Sequence, residues 1–152
     1  MTTTLVVLRH AKPVSGEGYA DSDLRPLSDE GRNKQRKMAE FLKSEDIIAD
    51  KIFTSPLLRA VQTAEIVAEV FSMEFEKELV LGNRFNVGRL MAKIELDKTT
   101  FFVGHIPTLE NFVRDLVGED VLPDGLSKSA AVILEFPNVI EMGKARFVAY
   151  HK

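Results

Sequence analysis

The sequence predicts an α/β fold with a largely parallel sheet. Short apolar runs alternate with longer stretches of helical period, the order expected when crossover helices connect parallel strands. With 152 residues, 45% of them hydrophobic, the chain is long enough to bury a substantial core and shows nothing that demands a partner to fold. No repeat, low-complexity tract or internal linker interrupts it, so residues 1–152 are expected to form one domain, and a monomer.

The elements come in order. TLVVLR (4–9) reads as the first strand, and KPVSGEGYADSDLRP (12–26), rich in Gly, Pro, Ser and Asp, reads as a loop. Ser28 is placed to cap a helix over DEGRNKQRKMAEFLK (29–43). KIFTS (51–55) is the second strand, with Ser55 as N-cap and Pro56 as first-turn proline of the next helix. That helix carries an apolar stripe of Leu57, Ala60, Val61, Ala64, Val67, Ala68 and Phe71. FEKELV (75–80) holds a third short strand, VGRLMAKIEL (87–96) a weaker helix and TTFFVG (99–104) a strong strand. Pro107 opens the helix TLENFVRDLVG, which Gly118 closes. AAVILEF (130–136) and ARFVAYH (145–151) end the chain as two antiparallel strands around a turn in PNVIEMGK.

Composition narrows the function. The formal net charge is -3, and no Lys/Arg stripe interleaved with aromatics occurs, which points away from nucleic acid. No apolar run is long enough to span a bilayer and MTTTLVVLRH lacks the features of a signal peptide, so a cytoplasmic location without membrane association is expected. The absence of cysteine excludes disulfides, thiolate nucleophiles and thiolate metal sites.

The chemistry lies at the strand ends. The first strand runs into LRHAK, the second into FTSPLLR and the fourth into FVGHIP. This places Arg9, His10, Ser55, Arg59 and His105 at or just past the carboxyl ends of strands, the edge where open α/β sheets bind ligands. Two arginines and two histidines suit phosphate: guanidinium forks bind its oxygens, and a neutral imidazole is a competent nucleophile toward phosphorus. Arg59 falls in the first turn of its helix, where the helix dipole disfavours a cation unless an anion is bound beside it. No HxxxH, HxH or cluster of Asp and Glu accompanies His10 and His105, so a metal site is not indicated. His151 lies at the end of the chain and takes no role. Asp21, Asp23, Asp29 and Glu30 read as loop and helix-start acids.

Four blocks, RHAKP (9–13), LRPLSDEG (24–31), TSPLLRAVQTAE (54–65) and VGHIPTLENFVRDL (103–116), resemble the defining blocks of the histidine phosphatase superfamily, the phosphoglycerate mutase-like family. Their spacing and the short chain are most similar to its SixA-type phosphohistidine phosphatases, and SKSAAVILEF (127–136) fits a late serine-bearing strand of that family. The resemblance implies a three-layer α/β/α sandwich with a mostly parallel central sheet. It implies that His10 is the nucleophile and that Arg9, Arg59 and His105 form the phosphate pocket, with Arg25 and Ser55 as substrate-binding residues and neither metal nor cofactor. Two departures stand out. The family's commoner RHG is RHA, with Ala11 in place of glycine. In LVLGNRFNVG (79–88), Asn83 occupies the place where many relatives carry a proton-donating glutamate, and Glu78 is the nearest upstream carboxylate, read as an exposed strand residue.

A carboxamide is no general acid, so a P–N substrate, whose imidazole leaves readily, fits better than an alkyl phosphate. The short connection between Arg59's helix and the FFVGH strand also leaves little room for a cap, and an open cleft admits a histidine displayed on another protein. The expected partner is therefore a phosphohistidine-bearing protein of the histidine-phosphotransfer type. A small-molecule or general phosphomonoester phosphatase, and an inactive phosphoprotein-binding module, remain the alternatives.

Overall fold

A computed structural model describes residues 2–15, 18 and 22–152. Asp21 lies outside the described residues. The elements are β1 (Thr3–Arg9), α1 (Asp29–Ser44), β2 (Lys51–Thr54), α2 (Leu58–Val70), β3 (Glu76–Lys77), a 3-10 turn (Leu79–Leu81), α3 (Val87–Met91), β4 (Thr99–Gly104), α4 (Thr108–Val117), β5 (Ala131–Phe136) and β6 (Arg146–His151). They build a six-stranded mixed sheet in the order β3-β2-β4-β1-β5-β6. β1, β2, β3 and β4 are mutually parallel, whereas β5 runs antiparallel to β1 and β6 antiparallel to β5.

The sheet is covered on both faces, which is why its central strands are apolar throughout rather than alternating. Val6, Leu8, Ile52, Phe101 and Val103 face α1 and α2, where Met38, Ala39, Leu42, Ala60, Ala64 and Val67 meet them. Leu5, Val7, Phe53 and Phe102 point the other way, onto Leu109, Phe112, Val113 and Leu116 of α4. The result is the three-layer α/β/α arrangement that the resemblance implies. No described helix is long and apolar enough to cross a membrane.

Several local expectations need adjusting. Ser28 does cap α1, its hydroxyl accepting from Gly31 N–H, and Gly118 closes α4 in the left-handed region at φ 88°. Ser55 does not cap α2. The helix starts three residues later, at Leu58, with Leu57 at the cap position and no side-chain cap bond. Only Glu76–Lys77 of FEKELV is strand, and α3 covers just the first half of VGRLMAKIEL. Glu78 is half-buried rather than an exposed strand residue: it caps the 3-10 turn through Val80 N–H and lies 3.5 Å from Lys93 Nζ.

Candidate active site

β1 delivers the site. Its last residue, Arg9, pairs with Gly104 at the end of β4, and the His10 N–H donates to the Gly104 carbonyl at 3.0 Å. His10 and His105 thus emerge from adjacent parallel strands, with ring centroids 5.2 Å apart and planes tilted by 51°. His10 is only 6% exposed. Its Nδ1 lies 2.8 Å from the Ala11 carbonyl, a pairing that requires Nδ1 to carry the proton and leaves Nε2 with a free lone pair. Burial pushes the His10 pKa down to about 3; the Ala11 carbonyl opposes that shift, while His105, Arg59 and Arg9 add to it. His105 is lowered to about 4, chiefly by burial and then by the charges of Arg59 and Arg9. Both rings are therefore neutral at neutral pH.

Ala11 shows how RHA is accommodated. It is absent from the residues with positive φ, so no glycine is required there. Its methyl is fully buried with Leu27 and Ile66. The Ala11 N–H donates to Thr63 Oγ1 at 2.9 Å, and that hydroxyl donates to the Arg59 carbonyl at 2.7 Å. This relay ties the turn bearing His10 to the first turn of α2, which bears Arg59.

The cations are held from behind. Arg9 Nη1 donates to the Leu126 carbonyl at 2.9 Å, and the N–H of Leu126 donates to Glu110 Oε2 at 2.7 Å. Glu110 is thus joined to Arg9 through one residue's backbone and through charge, opposing the burial that lowers Arg9's pKa. Gly125, at φ 78°, leaves its Cα bare where a Cβ would collide with that carboxylate. Ser129, at φ 63°, donates its N–H to both the Arg9 and His10 carbonyls at 3.2 Å. Arg59 is lowered mainly by burial and then by the nearby charge of Arg25. Cations held close together and partly desolvated are stabilised by a bound oxyanion.

Arg25 and Ser55 turn out to be engaged with the protein. Arg25 Nε donates to the Val14 carbonyl at 3.0 Å, and its loop is pinned to α2 by the bond from Leu27 N–H to Gln62 Oε1 at 2.7 Å. Its charge nevertheless bears on Arg59. Ser55 is fully buried, and its hydroxyl lies 2.7 Å from His105 Nε2. It is placed to orient His105, whose buried Nδ1 has no hydrogen-bond partner. When Ser55 donates to Nε2, the proton of the neutral His105 ring lies on Nδ1.

Arg59, His105 and Asn83 line one cleft of about 360 Å³ together with Leu57, Gly82, Phe85, Ile106 and Thr108. Asn83 is exposed and does share the pocket, whereas Glu78 is absent from its lining. Sequence reading missed Asp23. The Leu58 N–H donates to its backbone carbonyl at 3.3 Å, and its carboxylate opposes the lowering of both Arg59 and His105. Asp23 is therefore within electrostatic reach of the pocket, brought there by the loop folding onto the start of α2. No group of three or more His, Asp or Glu side chains that could hold a metal occurs among the described residues.

Comparisons with known proteins agree with this geometry. The family model "Histidine phosphatase superfamily (branch 1)" matches residues 5–86. An uncharacterized protein of Picosynechococcus is 32% identical over 111 residues, covering 69% of this chain and 67% of its own. The phosphohistidine phosphatase SixA of Escherichia coli is 26% identical over 111 residues, covering 68% and 69%. In three dimensions the chain superposes on the crystal structure of a SixA from Agrobacterium tumefaciens with a TM-score of 0.82 at 23% identity over 100% of this chain and 99% of that one. It superposes on the protein histidine phosphatase SixA complexed with tungstate at 0.79 and 24% identity, over 97% and 95%. At those identities the two structures establish the fold. The family match over more than half of the chain, with Arg9, His10 and Arg59 inside it, establishes kinship: the chain belongs to branch 1 of the histidine phosphatase superfamily.

Proposed function

We propose that the protein is a phosphohistidine phosphatase, formed by residues 1–152 acting as one histidine phosphatase domain. The observation that carries this reading is His10, a buried neutral imidazole whose Nδ1 is fixed on the Ala11 carbonyl. Its Nε2 attacks phosphorus, a new P–N bond forms on His10, and the P–N bond to the substrate imidazole breaks. With its other nitrogen protonated, that imidazole departs as a neutral ring and needs no acid from the enzyme. Arg9, Arg59 and His105 hold the oxygens of the transferring group, so the charge stabilisation comes from the protein's own groups and no metal is used. Water then attacks phospho-His10, inorganic phosphate leaves, and His10 returns to its neutral form.

Asn83 on the cleft wall supports P–N over P–O cleavage, because a carboxamide cannot protonate an alkoxide. The kinship to SixA of Escherichia coli and the lack of a carboxylate in the cleft lining point the same way. One observation favours a second reading, a phosphatase of small phosphomonoesters: Asp23, near Arg59 and His105, is the type of group that serves as general acid for an alkoxide leaving oxygen.

A substrate panel separates the two. A phosphohistidine peptide, an aryl phosphate and a phosphoglycerate are offered to the purified protein and to His10→Ala, and a labelled phosphoenzyme is trapped. Preferential release from the phosphohistidine peptide, with a phosphoenzyme absent from the variant, is the expected result. Turnover of sugar or glycerate phosphates with the peptide left intact overturns it, and no turnover or intermediate at all identifies a binding module.

A further inference from the structure

A second groove, of about 430 Å³, lies away from the catalytic cleft and is lined by Lys34, Lys37, Met38, Phe41, Tyr150, His151 and Lys152. Its position is set by the sheet. β5 enters antiparallel and β6 returns parallel to β1, so the far end of β6 comes back to the edge where catalysis occurs. In register, Leu8 pairs with Ala131 and Ala131 with His151. His151 is therefore level with the residue two before His10 and two strands aside, a lateral offset of about 10 Å. Tyr150 links the two regions: its hydroxyl accepts from Ser127 N–H at 2.9 Å, next to the Leu126 carbonyl that Arg9 holds.

The groove is basic around an apolar floor. Lys34, Lys37 and Lys152 are exposed and make no ion pair among the described residues. Glu30, one turn before Lys34, is held by Lys12 at 2.9 Å, and no Asp or Glu side chain lines the groove. Phe41 is 40% exposed and meets the His151 ring edge-on, with centroids 4.8 Å apart. Three unpaired lysines around Met38, Phe41 and the His151 ring, on a chain of net charge -3, form a patch of opposite sign to the molecule. Such a patch selects a partner surface that is acidic at its rim and apolar at its centre.

We propose that this groove docks an acidic face of the protein that presents its phosphohistidine to His10. The proposal rests on the phosphohistidine reading for the identity of the presented group. A partner burying about 800 Å² of this surface covers a disc of about 16 Å radius, so a groove about 10 Å from the line of His10 falls inside the footprint of anything docked there. The net negative charge of the chain disfavours an extended polyanion such as nucleic acid and leaves a local acidic patch as the matching ligand.

The test uses two phosphohistidine peptides, one with a run of four glutamates on each side beginning three residues from the phosphohistidine, about 10 Å in extended chain, and one with glutamines instead. Free phosphohistidine is the third substrate. The enzymes are the wild type and Lys34→Glu/Lys37→Glu/Lys152→Glu, whose exposed positions leave the core untouched and whose melting curve checks the fold. The glutamate peptide is expected to show about tenfold higher kcat/KM than the glutamine peptide with the wild type, and to lose that advantage in the variant. Turnover of free phosphohistidine by the variant stays within about twofold of wild type. No glutamate advantage, or one that survives the charge reversal, overturns the docking site. Binding of a fluorescent, unphosphorylated glutamate peptide, read by anisotropy with wild type and variant, reports the groove even if no phosphohistidine substrate is cleaved and the functional reading fails. Tighter binding of a labelled single-stranded DNA through the same lysines overturns the assignment to an acidic protein.

Discussion

At the floor of the site, His10 is buried and His105 half-buried, with Nδ1 on the Ala11 carbonyl and Nε2 on the Ser55 hydroxyl, respectively. At its rim, Asn83 lines the cleft and Asp23 lies within electrostatic reach of it; both are exposed and lie on connections between elements rather than on strand ends. The floor is thus positioned before any substrate arrives, as phosphoryl transfer requires. The rim faces solvent. In the proposed mechanism the contrast separates two tasks: the floor decides that phosphorus is attacked, and the rim, meeting the leaving group, decides what can depart.

The sharpest way to break this division is at the floor. His10→Ala is expected to lower kcat on every phosphorylated substrate by about 10³-fold or more, measured as phosphate release. Arg59→Ala removes a cation aimed at the transferring oxygens and costs about 10²- to 10³-fold in kcat/KM, with weaker binding of tungstate in a calorimetric titration. A variant at the floor that changed the ratio between substrates, rather than all rates together, would contradict the division.

Substitution at the rim is expected to act on that ratio. Asn83→Glu places a carboxyl on the cleft wall and should raise turnover of an alkyl phosphomonoester relative to a phosphohistidine peptide by about tenfold, below the roughly 10²- to 10⁴-fold of a well-placed acid. An unchanged ratio would place the proton transfer elsewhere, with Asp23→Asn the next variant to assay.

The smallest effect concerns protonation of the floor. Both histidines have folded pKa values below the ordinary 6.5, at about 3 and about 4. Between those values and 6.5 the unfolded chain binds more protons than the folded one, so stability rises with pH across that window. It is fully present above about 6.5 and is lost as pH falls toward 4 and 3, by up to about 1.4 kcal/mol per pH unit for each histidine. Urea unfolding midpoints from pH 7 to pH 4.5 should fall less steeply in His10→Asn/His105→Asn than in the wild type.

The floor was far more legible in the sequence than the rim. Strands covered on both faces announce themselves as apolar runs, and a ligand edge is implied by their parallel order, so Arg9, His10, Arg59 and His105 could be placed together from the residues just past each run. Ser55 was ambiguous because one hydroxyl had two possible employers, a helix start and a neighbouring side chain. Only the helix beginning at Leu58 resolved it in favour of His105. Asp23 reaches the site because its loop folds back onto the start of α2, far along the chain, and no periodicity encodes such a return. The link from Glu110 through the Leu126 backbone to Arg9 spans three separate segments and was invisible for the same reason.

The reversal of direction at β5 has a practical bearing. Because β6 runs back toward the ends of β1 and β4, any chain appended after Lys152 begins at the catalytic edge, beside the lysine-rimmed groove. Thr3 starts β1 at the opposite edge of the sheet. If the proposed docking holds, an affinity tag or reporter fused behind Lys152 competes with the incoming protein for the same space, whereas one fused ahead of Thr3 leaves the approach clear.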